Sequence, residues 1–149
     1  MKRTFFLVTQ MVLVLVAVGK LVGGLRWQRG VEVLDPLLPF LTARQSVVCA
    51  GLLEAGVAAY LTCRRSDGAK ACGVLWLCAV LGAYRVGLWV TGFKGYCRCL
   101  GFWGSTLGLT ERVASAVASY LLLFMLCGAC SVLALRGVRA RPAVEKARG

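Results

Sequence analysis

The apolar stretch TFFLVTQMVLVLVAVGKLVGG at residues 4–24 decides the fold class of this chain. Its length matches the roughly 20 apolar residues that one helical crossing of a bilayer needs. A spanning segment must satisfy its own backbone hydrogen bonds, so we expect a helix. The basic start at Lys2 and Arg3 also fits a signal peptide, but the apolar run continues to Val22 and no small-residue cleavage motif follows. We therefore predict a retained transmembrane helix.

Three further apolar blocks of similar length follow, at residues 45–63, 71–91 and 113–135. The whole chain is 59% hydrophobic and only 16% charged, with lipid the expected solvent for most of it. The pattern predicts an all-α fold, a single membrane four-helix bundle over residues 1–135 followed by a basic tail over residues 136–149. Residues 31–41 are too few to cross and contain Pro36 and Pro39. We expect them to form an interfacial segment in the first outer loop, as a short broken helix packed over the bundle.

The formal net charge of +12 is carried mostly by segments between and beyond the apolar blocks, which is typical of membrane orientation rather than of nucleic-acid binding. One set of connections carries ten basic residues: Lys2, Arg3, Arg64, Arg65, Lys70, Arg136, Arg139, Arg141, Lys146 and Arg148. The other set carries six: Arg26, Arg29, Arg44, Lys94, Arg98 and Arg112. Because the more basic connections usually stay inside, we predict a multi-pass protein of the bacterial inner (plasma) membrane with cytoplasmic N and C termini.

The chain has eight cysteines and no histidine. The missing histidine excludes His-based catalytic triads and His-ligated zinc or haem. Most of the cysteines fall inside apolar blocks, where a free cysteine is an ordinary packing residue. Cys127 and Cys130 form a C-x-x-C motif, but they lie within the last apolar block, so we interpret them as packing residues too. The sequence does not identify a cofactor.

Three ionisable residues interrupt the apolar blocks: Lys20, Glu54 and Arg85. Charged side chains at membrane depth are costly and are usually paired or functional. One interpretation is a structural ion-pair network, in which Glu54 pairs with Lys20 or Arg85. The other is a polar intramembrane cluster that binds a quinone head or an anion, or that relays protons.

Cys97 and Cys99 lie in the second outer loop and are the only cysteines clearly outside an apolar block. A disulfide between cysteines one residue apart closes a small, strained ring and is easily reduced. Lys94 and Arg98 would support a thiolate and lower its pKa. We predict a redox pair with Cys97 and Cys99 as catalytic residues, the alternatives being two inert thiols or half of a metal site. A metal needs more ligands, and only Cys49 lies near that face, so we predict no metal.

Several of these residues give the chain its resemblance to the DoxX-like membrane proteins, and within them to the MauE branch associated with methylamine utilisation. They are Gly19-Lys20-Leu21, Asp35-Pro36, Ala50-Gly51-Leu52-Leu53-Glu54 and Cys97-x-Cys99-x-Gly101 followed by Gly104. Family members usually have Cys-Gly-Cys-Phe-Gly where this chain has Arg98 and Leu100 at the variable positions.

The resemblance implies a four-helix membrane protein with a redox or disulfide role in the periplasm, where a thioredoxin-like protein would be its partner. The function expected from it is that of a redox accessory protein, which exchanges thiol/disulfide equivalents through Cys97 and Cys99. Two other functions remain open from the residues alone. One is a non-enzymatic scaffold or subunit, and the other is a small transporter that uses Lys20, Glu54 and Arg85.

Overall fold

The computed structural model describes residues 2–26, 34–64, 66–92, 108 and 110–146. These residues form four helices: α1 (Lys2–Arg26), α2 (Ala43–Cys63), α3 (Asp67–Val90) and α4 (Glu111–Lys146). Each contains an apolar span of 21 to 24 residues, which is long enough to cross a membrane. The prediction of an all-α four-helix bundle is therefore confirmed, and the chain is a multi-pass membrane protein.

Side-chain caps determine where α2 and α3 begin. Thr42 and Gln45 form a reciprocal capping box, in which the Gln45 amide donates to Thr42 Oγ1 at 3.3 Å and the Thr42 amide donates to Gln45 Oε1 at 2.8 Å. The Ser66 hydroxyl accepts from the Ala69 amide at 3.4 Å. Both helices consequently start a few residues before the apolar blocks from which they were predicted.

The last helix continues beyond its apolar span. The span ends at Leu135, whereas α4 runs on to Lys146 and has 36 residues. At about 1.5 Å per residue this helix is roughly 54 Å long, well above the ~30 Å of a hydrocarbon core. Most of the predicted basic tail is therefore a helical extension of α4, because arginine and alanine favour helix even where the arginines end the apolar span.

The helices pack as two neighbouring pairs. α1 lies along α2, and α3 lies along α4, with α2 against α3 and little contact between α1 and α4. The side chains most completely buried between them include Leu13, Leu61, Val74 and Leu77. Many large apolar side chains instead face outward, for example Met11, Trp89 and Tyr120, each more than two thirds exposed. A surface of this kind is compatible with lipid and not with water.

Residues 34–42 form a turn and not the short broken helix that we expected over residues 31–41, of which residues 31–33 lie outside the described part of the chain. Leu34 and Thr42 form an isolated antiparallel bridge, and the Asp35 amide donates to the Leu41 carbonyl at 2.9 Å. Two prolines in nine residues leave too few amide donors for helical turns. The segment does pack over the bundle, because the Leu37 side chain lies on Gly87 of α3. We call this end of the bundle the Asp35 end and the opposite one the Ser66 end.

Candidate functional site

Lys20 of α1 and Glu54 of α2 form a buried ion pair between Lys20 Nζ and Glu54 Oε1. The residues are 5% and 3% exposed, so water does not screen their attraction. Gly51 makes the approach possible, because a Cβ there would lie 3.2 Å from Lys20 Cβ and 3.4 Å from the Ala17 carbonyl oxygen. Lys20 and Glu54, the charged residues inside the apolar blocks of α1 and α2, thus form a neutral ion pair that joins the two helices.

Arg85 of α3 does not pair with Glu54. Its guanidinium donates to Ser119 Oγ at 2.8 Å, to Ser115 Oγ at 2.7 Å and to the Ser115 carbonyl at 3.0 Å. Both serines belong to α4, so these bonds tie the second helix pair together. Their spacing of four residues places them on one helix face, which is the signal by which the sequence could have identified them.

Asp35 is one of the residues that carry the family resemblance, but it was not predicted as a site residue. It is 3% exposed, and its carboxylate accepts from the Tyr84 hydroxyl at 2.7 Å and from the Leu37 and Leu38 amides at 2.9 and 3.1 Å. Burial by itself would raise the pKa of this carboxyl, but the hydrogen bonds outweigh it and hold the pKa below its ordinary value. Asp35 therefore anchors the turn to α3 as a carboxylate.

A cavity of about 70 Å³ lies between α1, α3 and α4, with Glu54 of α2 at its edge. Its polar lining consists of Lys20, Glu54, Tyr84 and Arg85. Its apolar lining consists of Val12, Leu13, Val16, Leu81, Ala118, Leu121, Leu122 and Met125. The three predicted ionisable residues are thus brought to one cavity, although only two of them form an ion pair. Glu54 Oε2 is buried there without a hydrogen-bond partner.

The predicted redox residues Cys97 and Cys99, with Lys94 and Arg98, lie outside the described residues. The six described cysteines are all free thiols: Cys49, Cys63, Cys72, Cys78, Cys127 and Cys130. Each belongs to a membrane-spanning helix. Within the described part of the chain, no group of three or more potential metal-binding side chains occurs.

The fold defines a class, a multi-pass helical membrane protein, with a small and mostly apolar cavity between its helices. The chain was compared with protein-family models, curated proteins and solved structures, and no match was found in any of the three comparisons. The resemblance to DoxX-like and MauE proteins accordingly stays a prediction from the residues that carry it.

Proposed function

We propose that this protein is a redox accessory protein of the bacterial inner membrane, which handles thiol/disulfide equivalents at the periplasmic face through Cys97 and Cys99. In this proposal both termini are cytoplasmic and the Asp35 end of the bundle faces the periplasm. The more basic connections then lie inside, as the charge bias favours.

The observation that carries the proposal is the distribution of the cysteines. All six described cysteines are free thiols on spanning helices, whereas Cys97 and Cys99 lie in the connection between the end of α3 at Val90 and the start of α4 at Glu111. That connection belongs to the Asp35 end, because α3 and α4 are consecutive and the Ser66 connection lies at the other end. A dithiol outside the bilayer on the oxidising side is accessible to a soluble partner.

The chemistry proposed for this pair is disulfide exchange with a thioredoxin-like periplasmic protein. A thiolate of the partner attacks one sulfur of the Cys97–Cys99 disulfide, and the other sulfur of the pair leaves as a thiolate. The second cysteine of the partner then displaces the pair and closes the partner's disulfide. Two electrons and two protons pass from the partner to the pair, which is left as a dithiol.

Thiol labelling of intact membranes tests the proposal, with Cys49→Ser as the matched control because Cys49 lies near the same end of the bundle. Labelling of Cys97 and Cys99 should rise together after mild reduction. In Cys97→Ser or Cys99→Ser the remaining thiol should attack the disulfide form of the partner and trap a mixed disulfide, the partner's second sulfur leaving as a thiolate, and Cys49→Ser should change neither result. Full labelling of both cysteines without reductant, together with the absence of any trapped adduct, would contradict the proposal.

A second candidate, a non-enzymatic membrane scaffold or subunit, is favoured by one specific observation. The Lys20–Glu54 pair and the Arg85–serine bonds each tie one helix to its neighbour, which is what a purely structural role requires. The same labelling experiment separates the two functions, since a scaffold needs neither a reversible disulfide nor an adduct.

A further inference from the structure

The hydrophobic core of the described bundle lies in the half nearer the Ser66 end. Its buried residues form one cluster, to which all four helices contribute. This cluster reaches no farther toward the Asp35 end than Leu13 on α1, Val57 on α2, Cys78 on α3 and Met125 on α4. Close packing of this kind resists deformation, so the helix pair α1–α2 is firmly joined to the helix pair α3–α4 in this half.

Three further features join the two helix pairs near the Ser66 end. Residues 64–66 are the whole connection between α2 and α3. The Tyr60 ring of α2 lies on Gly73 of α3, where its Cε1 atom is 3.0 Å from the position of an added Cβ. The Phe5 ring of α1 lies on Gly128 of α4. The two pairs are therefore linked at this end on both sides of the core.

The half nearer the Asp35 end has few contacts between the two helix pairs. Beyond Cys78, α3 has no buried residue as far as Gly92. Lys20 and Glu54 are buried in this half, but both belong to the pair α1–α2, so their ion pair does not join the two helix pairs. The cavity of about 70 Å³ lies between α1 and the pair α3–α4, and α1 has little contact with α4. A region with few buried contacts opens more easily than a packed core.

The turn at residues 34–42, which we call the strap, joins the two helix pairs in this half. It lies between α1 and α2 in the chain, but two of its side chains contact α3. The Tyr84 hydroxyl donates to Asp35 Oδ2 at 2.7 Å. The Leu37 side chain lies on Gly87, with its Cδ1 and Cδ2 atoms 2.9 and 3.1 Å from the position of an added Cβ. Because Asp35 Oδ1 also accepts from two amides of the strap, the strap keeps one shape while it holds α3.

We propose that the strap is a releasable clamp that controls opening of the bundle at the Asp35 end. The core and the short connection at the Ser66 end act as the hinge between the two helix pairs. When the strap leaves Tyr84 and Gly87, the pair α1–α2 tilts away from the pair α3–α4. The cavity then opens toward the Asp35 end, and the Lys20–Glu54 ion pair becomes accessible from that side.

This conformational change uses only the strap, the core and the two helix pairs. It involves neither Cys97 nor Cys99, so it stands or fails independently of the redox function. It also makes a directional statement, because the distance between the two helix pairs should change at the Asp35 end and not at the Ser66 end.

The test measures distances between two spin labels by pulsed electron paramagnetic resonance on the full-length chain in lipid nanodiscs. The labels are attached to p-acetylphenylalanine, which avoids the eight native cysteines. One pair of labels, at Leu25 of α1 and Val113 of α4, reports on the Asp35 end, and both positions are exposed. A second pair, at Leu7 of α1 and Ser131 of α4, reports on the Ser66 end and is also exposed.

Two variants release the strap by different means. Tyr84→Phe removes the hydroxyl that Asp35 accepts, and Gly87→Val places methyl groups where Leu37 lies. Gly82→Val is the matched control on the same helix, because a Cβ there meets nothing within 4 Å. With 24 residues, α3 is a lever of roughly 36 Å, so a tilt of about 5° moves its far end by about 3 Å.

We expect Tyr84→Phe and Gly87→Val each to lengthen the Leu25–Val113 distance by at least about 3 Å, or to add a population at that longer distance. Gly82→Val should leave this distance unchanged, and the Leu7–Ser131 distance should be the same in all variants. An unchanged Leu25–Val113 distance in both strap variants would overturn the proposal. So would an equal lengthening in Gly82→Val, or an equal lengthening between Leu7 and Ser131, since either would indicate general loosening of the bundle.

Discussion

The Lys20–Glu54 ion pair allows a prediction whose magnitude follows from burial. Lys20→Met leaves Glu54 facing the bundle without a cation, and Glu54→Leu leaves Lys20 without an anion. An isolated buried charge is removed by gaining or losing a proton, which limits the cost of each change. From ordinary pKa values, neutralising a glutamate at pH 7 costs about 3.7 kcal/mol and neutralising a lysine about 4.6 kcal/mol. Single changes should therefore destabilise by about 3–5 kcal/mol.

The double variant should be more stable than either single variant. With both charges absent, only packing is altered, and such replacements of a buried pair by apolar residues are often close to neutral. The cost of Lys20→Met should also depend on pH. It should fall by about 1.4 kcal/mol for each pH unit below 7, since protonation of the unpaired carboxyl becomes easier. The double variant contains neither group and should show no such dependence.

Reversible unfolding in mixed detergent micelles measures these free energies. The matched control is the neutral hydrogen bond from Gln10 to Thr62, which joins the same two helices at 2.8 Å. A double-mutant cycle there should give a coupling of about 0.6 kcal/mol, independent of pH. The reasoning on Lys20 and Glu54 is refuted if their single changes add to within about 0.5 kcal/mol in the double variant. It is also refuted if Lys20→Met costs the same at pH 5 as at pH 7.

Three further predictions test the helix approach, the turn and the topology. Gly51→Ala should loosen the packing of α1 against α2 and lower the thermal stability. Gly56→Ala is the control on the same helix: an added Cβ there meets nothing within 4 Å, so the change should be neutral or stabilising by about 1 kcal/mol. Equal effects of the two changes would contradict the close approach at Gly51. Tyr84→Phe should destabilise by about 1.5–3 kcal/mol at neutral pH, because it removes a hydrogen bond to a carboxylate. Because the pKa of Asp35 is lowered in the folded protein, this carboxylate stabilises the fold above the ordinary carboxyl pKa, and the stabilisation is lost as the pH falls through the pKa of the folded state. The difference in stability between the wild type and Tyr84→Phe should therefore shrink below about pH 4. A constant difference down to pH 3 would argue against the hydrogen bond. A reporter that works only in the cytoplasm should be active when it is inserted at Gly68. Activity at Gly68 of a reporter that works only outside the cytoplasm would reverse the proposed orientation.

The number and type of helices could be predicted from the sequence because a bilayer imposes one length on every span. The bounds could not, since they depend on caps and propensity rather than on hydropathy. The Thr42–Gln45 capping box moves the start of α2 ahead of the first apolar residues. Beyond Leu135, the residues that end the apolar block do not end the helix.

The candidate site was predictable in composition but not in pairing. A charged residue inside an apolar block is easily recognised, so Lys20, Glu54 and Arg85 could all be found from the sequence. Which cation meets Glu54 depends on which helix lies beside α2 and at what height, and spacing along one chain contains no such information. Ser115 and Ser119 lie four residues apart on one face of α4, a spacing that the sequence contains, but only the structure shows that Arg85 lies against that face.

The charged residues inside the described helices form two separate polar contacts. Lys20 and Glu54 neutralise each other, so their electrostatic effect remains within α1 and α2. Arg85 is held by the oxygens of Ser115 and Ser119, whose dipoles orient the guanidinium without neutralising it. Each of the two closely packed helix pairs, α1 with α2 and α3 with α4, therefore has its own polar contact, and the weakly packed pair, α1 with α4, has none among the described residues.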